Sequence, residues 1–245
     1  MRRKYTILLV CGIILLLGII TAALFYFGIL QFNNPPRETY PVRGVDVSHY
    51  QGEINWSVLC QQDIRFAFIK ATEGSTYVDN CFEANYAAAI QTDLRVGAYH
   101  FFSFDSPGAT QANNFITTVS AYDDMLPPVV DVEFYGKYIS EPPSDIETLQ
   151  QELSALLNAL ENHYGIKPIL YATQEAYDLL LKDDFSDYDL WIRNVLTTPA
   201  VDGWTFWQYS NRGRLDGYIG EEFYIDLNVF RGTIEEFQSY GKPTA

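Results

Sequence analysis

Residues 127–136 read PPVVDVEFYG, and this stretch decides the fold class because an apolar run passes directly into two carboxylates. Side chains two residues apart on a β-strand point to the same face, so Asp131 and Glu133 share one face of the predicted strand. They are either the solvated end of a strand or a general acid and its partner. The positions of the other acids in the chain distinguish these two interpretations.

Eight short β-rich runs of this kind follow one another from residue 43 onward. Helix-like segments separate the early runs, whereas the last three are joined by short stretches rich in Gly, Asn, Asp and Thr. Eight strands are what a closed (β/α)8 barrel requires. The sequence therefore predicts an α/β fold, a modified (β/α)8-type, TIM-like barrel with a helix-poor C-terminal third. The runs are RGVDVS, RFAFIKA, RVGAYHFF, PPVVDVEF, KPILYA, YDLWIR, WTFWQYS and EEFYIDLN.

Three segments between the early runs carry apolar residues at helical spacing, at 80–91, 108–121 and 144–163. The third begins with Ser-Asp-Ile-Glu, the pattern of a capping box, which predicts Ser144 as the N-cap of that helix.

The chain begins with an apolar segment at 7–30, which is long enough to cross a hydrocarbon layer of about 30 Å. Arg2, Arg3 and Lys4 precede it and predict a cytoplasmic N-terminus. The apolar region of a signal peptide is usually only about 7–15 residues long and ends at small residues. An uncleaved anchor is therefore favoured over a cleaved signal peptide. The predicted organisation is a cytoplasmic tail at 1–6, a transmembrane anchor at 7–30, a linker at 31–42 and a barrel domain at 43–245 on the outer, wall-facing or periplasmic side.

The formal net charge of −15 includes +3 from the first 34 residues, so the rest of the chain carries −18. Such a surface excludes nucleic acid as a partner, because nucleic acid binding requires a positive footprint. Cys60 and Cys81 both fall in the external part, where a disulfide and two small buried thiols are the alternatives. No Cys/His spacing matches a metal site, so we expect neither a metal nor an organic cofactor. No sequence signal indicates an oligomeric state.

Acids and aromatic residues recur near the ends of the predicted strands. In a barrel of this type, the carboxyl ends of the strands open on the side where the chemistry takes place. Paired carboxylates among aromatic rings suit glycoside cleavage, because one protonated carboxyl must protonate the leaving oxygen. We expect Glu133 to be that acid, since a charged Asp131 beside it would raise its pKa. The residues expected at the mouth are Asp46, Glu73, Tyr99, Asp131, Glu133, Tyr171, Trp191, Gln208 and Asp226, with a structural role as the alternative for Tyr99, Tyr171 and Trp191.

The order of these motifs resembles that of glycoside hydrolase family 25, the Chalaropsis-type lysozymes, over about residues 43–232. The resemblance implies a barrel enzyme without a cofactor that hydrolyses the β-1,4 bond between N-acetylmuramic acid and N-acetylglucosamine in peptidoglycan. It also implies net retention, with either a carboxylate or the N-acetyl group of the substrate as the attacking group. The motifs are GVDVSHYQGEINW, FIKATEGSTYVDNCFEANYAAA, VGAYHFF, VVDVE, ILYA, LWI and WTFWQYS, followed by IDLNVF.

The same resemblance implies a role for each candidate residue. Glu133 is the implied acid/base, Asp131 its charged neighbour, and Asp46 and Asp226 complete the floor of the pocket. The implied lining of the cleft consists of Tyr99, Tyr171, Trp191 and Gln208, with Lys70 and Glu73 as further candidates.

Arg193 departs from the family pattern, in which a small residue, often alanine, follows LWI. It shares a strand face with Trp191 and is expected to point toward the mouth. Two hypotheses follow. Arg193 either pairs with one of the acids and lowers the pKa of that acid, or it binds a carboxylate on the glycan or its peptide stem.

Two other functions are compatible with the sequence. One is a glycan-binding barrel without catalysis, and the other is a hydrolase of another N-acetylhexosamine polymer such as chitin. All four candidate acids are present, which favours an active peptidoglycan hydrolase tethered to its own membrane by the N-terminal helix.

Overall fold

The computed structural model describes residues 2–30 and 33–242. Met1, residues 31–32 and residues 243–245, which belong to the predicted tail, linker and barrel domain, lie outside the described residues. All eight predicted runs form strands, and one further short strand is present in the described chain. The strands are β1 (Arg43–Val47), β2 (Phe66–Glu73), β3 (Tyr77–Val78), β4 (Arg95–Phe101), β5 (Val129–Val132), β6 (Ile169–Thr173), β7 (Asp189–Arg193), β8 (Phe206–Gly213) and β9 (Ile225–Phe230).

The barrel closes because β1 pairs with β2 on one side and with β9 on the other. Around the ring, from which β3 is absent, every adjacent pair from β1–β2 to β7–β8 is parallel. The strand β9 closes the ring and is antiparallel to both of its neighbours, β8 and β1. The short β3 pairs only with β2, outside the ring. An antiparallel β8–β9 pair needs no crossover helix, which is why the last third is poor in helices. The predicted barrel class is confirmed.

The helices that follow the early strands cover the outside of the barrel there, whereas, in the described chain, one helix precedes β1 and one follows β9. The α-helices are α1 (Arg2–Tyr26), α2 (Trp56–Leu59), α3 (Phe82–Ala89), α4 (Gly108–Thr118), α5 (Ile146–Tyr164), α6 (Gln174–Ala176) and α7 (Ile234–Ser239). The prediction of Ser144 as the cap of α5 is wrong by one residue. The helix begins at Ile146, and the side chain of Asp145 accepts a hydrogen bond from the backbone N–H of Thr148 at 3.1 Å. Cys60 and Cys81 are free thiols, so the disulfide alternative is also wrong.

Alternate residues of the VVDVE stretch face two different apolar cores. Val130 and Val132 face outward, into the apolar layer that also contains Leu153, Leu156 and Leu157 of α5. Val129 faces inward, into a second apolar cluster that fills the lower barrel. That cluster supports the polar side chains above it. Its other main members are Phe66, Phe68, Ile169, Trp191, Phe206 and Phe230.

The N-terminal helix α1 lies outside the barrel, and none of its most apolar 18-residue window is buried. It ends at Tyr26, and the predicted anchor continues in turns to Leu30. The carbonyl of Tyr26 accepts hydrogen bonds from the hydroxyl of Tyr224, at 3.0 Å, and from the guanidinium of Arg212. A long apolar helix that is exposed over most of its length fits, at this position, a membrane anchor or a signal sequence.

Candidate active site

Eight side chains converge on a cavity of about 100 Å³ at the open end of the barrel. All eight are among the site residues expected from the sequence, and they come from seven different strands or the residue directly following one. Of the other candidates, Lys70, Glu73 and Arg193 do not line this cavity. The lining residues are Asp46, Tyr99, Asp131, Glu133, Tyr171, Trp191, Gln208 and Asp226.

Asp226 reaches the cavity by a route that the sequence analysis did not anticipate. It was expected near the carboxyl end of its strand, but it is the second residue of β9. Because β9 is antiparallel to β1, its first residues lie level with the carboxyl end of β1, and Asp226 stands opposite Asp46. Asp226 therefore lies at the mouth as expected, but it is near the amino end of its strand and not near the carboxyl end.

A hydrogen-bond network holds the floor of the cavity. Nε2 of Gln208 donates to Oδ1 and Oδ2 of Asp46, at 3.0 and 3.2 Å, and to Oδ2 of Asp226 at 3.2 Å. The hydroxyl of Tyr171 donates to Oε1 of Gln208 at 3.1 Å. Gln208 is 2 % exposed, so this amide is a rigid bridge between the two aspartates rather than a solvated side chain.

Asn228 is the member of this network that the sequence analysis missed. Its Nδ2 donates to Oδ1 of Asp46 at 2.6 Å, and its Oδ1 accepts from Nε1 of Trp191 at 2.9 Å. The available signal was its spacing, because a residue two positions after Asp226 on a strand faces the same interior. A fully buried amide on that face requires partners, and here they are a candidate acid and a candidate aromatic residue.

The pair of Asp131 and Glu133 is shielded from water. Burial raises the pKa of both carboxyls, and the charge of Glu133 raises that of Asp131 further, well above the usual range. Arg193 and Lys70 oppose this shift for Glu133. In the ligand-free site the two carboxyls therefore retain a proton to higher pH than isolated carboxyls do, and the charge of Asp131 stays a prediction.

Asp46 and Asp226 form a second coupled pair, in which the environment separates the two roles. Burial raises the pKa of each, most strongly for Asp226, while hydrogen bonds from Asn228 and Gln208 lower the pKa of Asp46. The charge of Asp46 raises the pKa of Asp226 further. The hydrogen bonds that Asp46 accepts therefore favour its ionised form, while Asp226 retains a proton to higher pH.

The aromatic side chains present neutral surfaces to the cavity. Burial and the nearby acids raise the pKa of Tyr99 and Tyr171 well above the usual range, so both remain phenols that donate hydrogen bonds. Trp191 is 2 % exposed and stacks on Phe68 at 4.8 Å between ring centroids. Its two alternative roles therefore coincide, because the ring belongs to the lower core and also forms part of the cavity wall.

Lys70 and Glu73 form an ion pair beside the cavity, with 2.8 Å between Nζ and Oε2. The ammonium of Lys70 lies 4.9 Å from the ring centroid of Phe101, and its charge lowers the pKa of Asp131 and Glu133.

A larger groove of about 700 Å³ lies along the loop at 214–223, but none of the four candidate acids lines it. The candidate acids that line the smaller cavity, rather than the volume of either cavity, therefore identify the site. In the described part of the chain, no group of His, Cys, Asp or Glu has metal-binding geometry.

Comparison with known proteins gives a consistent result. A family model described as glycosyl hydrolases family 25 matches residues 45–218. The chain is 34% identical to the uncharacterized protein YegX of Escherichia coli O6:H1, over 98% of this chain and 94% of that protein. It is 31% identical to lysozyme M1 of Streptomyces globisporus, over 86% of this chain and 74% of that protein.

Solved structures show the same barrel. A family 25 glycosyl hydrolase from Bacillus anthracis superposes with a TM-score of 0.81 at 55% identity, covering 86% of this chain and 98% of that one. A bacterial lysozyme from Streptomyces coelicolor superposes with a TM-score of 0.72 at 29% identity, covering 83% of this chain and 98% of that one.

Proposed function

The chain belongs to glycosyl hydrolase family 25, and on this premise we propose that it hydrolyses the β-1,4 bond between N-acetylmuramic acid and N-acetylglucosamine in peptidoglycan. One observation supports the proposal most directly. Two carboxyl pairs of raised pKa open onto one cavity walled by neutral aromatic side chains. Glycosidases need such an arrangement, because one carboxyl must be neutral to give a proton while another stays charged.

In this proposal, Glu133 protonates the leaving glycosidic oxygen. Burial keeps its pKa raised, and it is more accessible than Asp131, so it can reach the substrate. Asp46 supplies the negative charge that stabilises an oxocarbenium-like transition state, because its hydrogen bonds favour its ionised form. Tyr99 is proposed to donate a hydrogen bond to the sugar, and the hydroxyl oxygen of Tyr171, whose proton is donated to Gln208, is proposed to accept one.

Asp131 has a role next to the reacting centre. Its Oδ1 is buried and has no hydrogen-bond partner in the described protein, so it is free to accept or donate a bond to the substrate. An unpartnered carboxyl oxygen beside the reacting centre can accept a hydrogen bond from the N–H of the substrate's acetamide and so hold that group in place. We therefore favour attack by the N-acetyl group of the substrate, oriented by Asp131.

The test is identification of the new reducing-end sugar after incubation with purified peptidoglycan. The wild type is expected to release N-acetylmuramic acid ends, and Glu133→Gln is expected to lose at least about a hundredfold in rate because the proton donor is absent. Peptidoglycan that has been de-N-acetylated should be cleaved much more slowly. Glu83→Gln, at an exposed position of the outer helix α3, is the matched control and should retain full activity. No new ends from folded wild type would contradict the proposal, and chitin oligomers would then be assayed.

For the location, we propose that residues 7–30 anchor the enzyme in the membrane and place the barrel domain, at 43–245, on the outer side. The exposed apolar helix and the basic residues before it support this orientation. The tether would keep the enzyme near the wall despite the strong negative charge of the barrel, by holding its local concentration high.

A further inference from the structure

Arg193 lies beside the cavity, next to two of its lining strands, without lining the cavity itself. It is the last residue of β7, on the same face as Trp191, and its register neighbours are Thr173 on β6 and Gln208 on β8. Since side chains two apart on a strand stack in layers, Arg193 lies one layer above Trp191, toward solvent. The side chain is half-buried.

The guanidinium of Arg193 has no hydrogen bond, ion pair or ring contact with any residue in the ranges 2–30 and 33–242. The buried arginines of this chain differ in this respect. Arg43 donates to the hydroxyl of Tyr209 at 3.0 Å, and Arg95 donates to the carbonyl of Phe237 at 2.6 Å. A guanidinium with five donors that is held at a cleft and left without a protein partner is available to a ligand.

The nearby acids do not take up this cation. Asp46 already accepts hydrogen bonds from Gln208 and Asn228, and Asp226 accepts one from Gln208. Arg193 acts on both, and on Glu133, only through space, by lowering their pKa. Direct pairing with an acid, the first hypothesis for this residue, is therefore absent, and a ligand is the remaining partner.

We propose that Arg193 binds a carboxylate of the glycan substrate and so selects muramyl-containing strands over neutral N-acetylhexosamine polymers. A planar guanidinium matches a carboxylate through two parallel hydrogen bonds, whereas a neutral sugar offers no such group. Muramic acid differs from glucosamine by a lactyl ether, whose carboxylate is either free or extended by an acidic peptide stem. The identity of the ligand rests on the proposed function.

Because the barrel part of the chain carries a charge of −18, long-range attraction of an anion is excluded, and recognition has to act at contact distance. A cation beside the cavity that has no protein partner within hydrogen-bond distance in the described chain fits this requirement. It also places the carboxylate beside the reacting sugar, where it can set which sugar occupies the cleavage position.

The experiment measures binding by titration calorimetry in the full-length Glu133→Gln protein in detergent, so that no ligand is cleaved. Three tetrasaccharides of alternating N-acetylglucosamine and N-acetylmuramic acid are compared. The first has free lactyl carboxylates, the second has them as neutral methylamides, and the third carries peptide stems. Each is titrated with and without the additional change Arg193→Gln, and Arg193→Lys tests the need for a planar fork. Arg231→Gln, an exposed arginine outside the cleft, is the charge-matched control.

Arg193→Gln is expected to weaken binding of a carboxylate-bearing ligand about tenfold or more and to change binding of the methylamide less than about twofold. A loss on the first ligand identifies the lactyl carboxylate, and a loss on the third identifies the stem. Arg193→Lys should give an intermediate loss. An equal loss on charged and neutral ligands, or no loss on either, would overturn the inference. Failure of wild type to cleave peptidoglycan would instead contradict the proposed function, because these binding constants do not depend on turnover.

Discussion

His100 lies behind the barrel wall, fully buried, and its titration allows a quantitative test of how this fold responds to pH. Oε1 of Gln111 also accepts from the backbone of Ser103, so Nε2 of His100 donates to it, at 3.0 Å, and Nδ1 accepts from the hydroxyl of Thr72 at 2.7 Å. The ring is therefore satisfied as the neutral tautomer. Burial lowers the pKa of His100 from 6.5 to about 4.

The sign follows from proton uptake. Between about pH 6.5 and about pH 4, the unfolded chain binds a proton at this histidine that the folded protein does not bind. The contribution of His100 to the free energy of unfolding is thus fully present above pH 6.5 and is lost as the pH falls toward 4. The difference between these pKa values corresponds to a loss of about 3 kcal/mol. The raised pKa of the cleft acids has the opposite effect on the free energy of unfolding, because the folded protein then holds protons that the unfolded chain has released.

The assay is urea unfolding of wild type and His100→Gln between pH 4 and 7.5. The cleft acids, and the neighbours Lys70 and Glu73, are present in both proteins, so the difference between the two curves isolates His100. We expect this difference to change by about 3 kcal/mol across the range, with the variant losing less stability in acid. The exposed His163 provides the control, and His163→Gln should follow wild type. Parallel curves for wild type and His100→Gln would refute the reasoning.

Two further predictions concern the cavity and the anchor. Asn228→Ala removes a hydrogen bond that lowers the pKa of Asp46, so the acidic limb of the pH–rate profile should move to higher pH. The same change leaves the indole N–H of Trp191 unpaired, so the protein should lose about 1–3 kcal/mol of stability. An unchanged pH–rate profile would contradict the role given to Asp46. The full chain should remain in the membrane after alkaline extraction and keep its N-terminal residues by mass spectrometry, whereas a mature N-terminus near residue 30 would show a cleaved signal peptide instead.

The fold class and most of the cavity followed from the sequence because strand alternation is a local property. Asp131 and Glu133, two residues apart on one strand, had to share a face. Eight β-rich runs of suitable spacing favour a closed barrel, because an open sheet would leave unpaired edge strands. The eight lining residues were therefore identifiable from their positions on these runs. Asn228 was missed because its importance depends on what lies across the barrel, and no local pattern reports that.

The sequence by itself determined which residues are acids, which face of each strand they occupy and that the chain begins with an apolar helix. Only the tertiary structure decided that β9 runs antiparallel and brings Asp226 opposite Asp46, that two free thiols stand where a disulfide was possible, and that Arg193 has no protein partner. Strand direction, the contacts between thiols and the pairing of a cation depend on distances between segments far apart in the chain. Those distances are set by the closure of the barrel, which no single stretch of sequence contains.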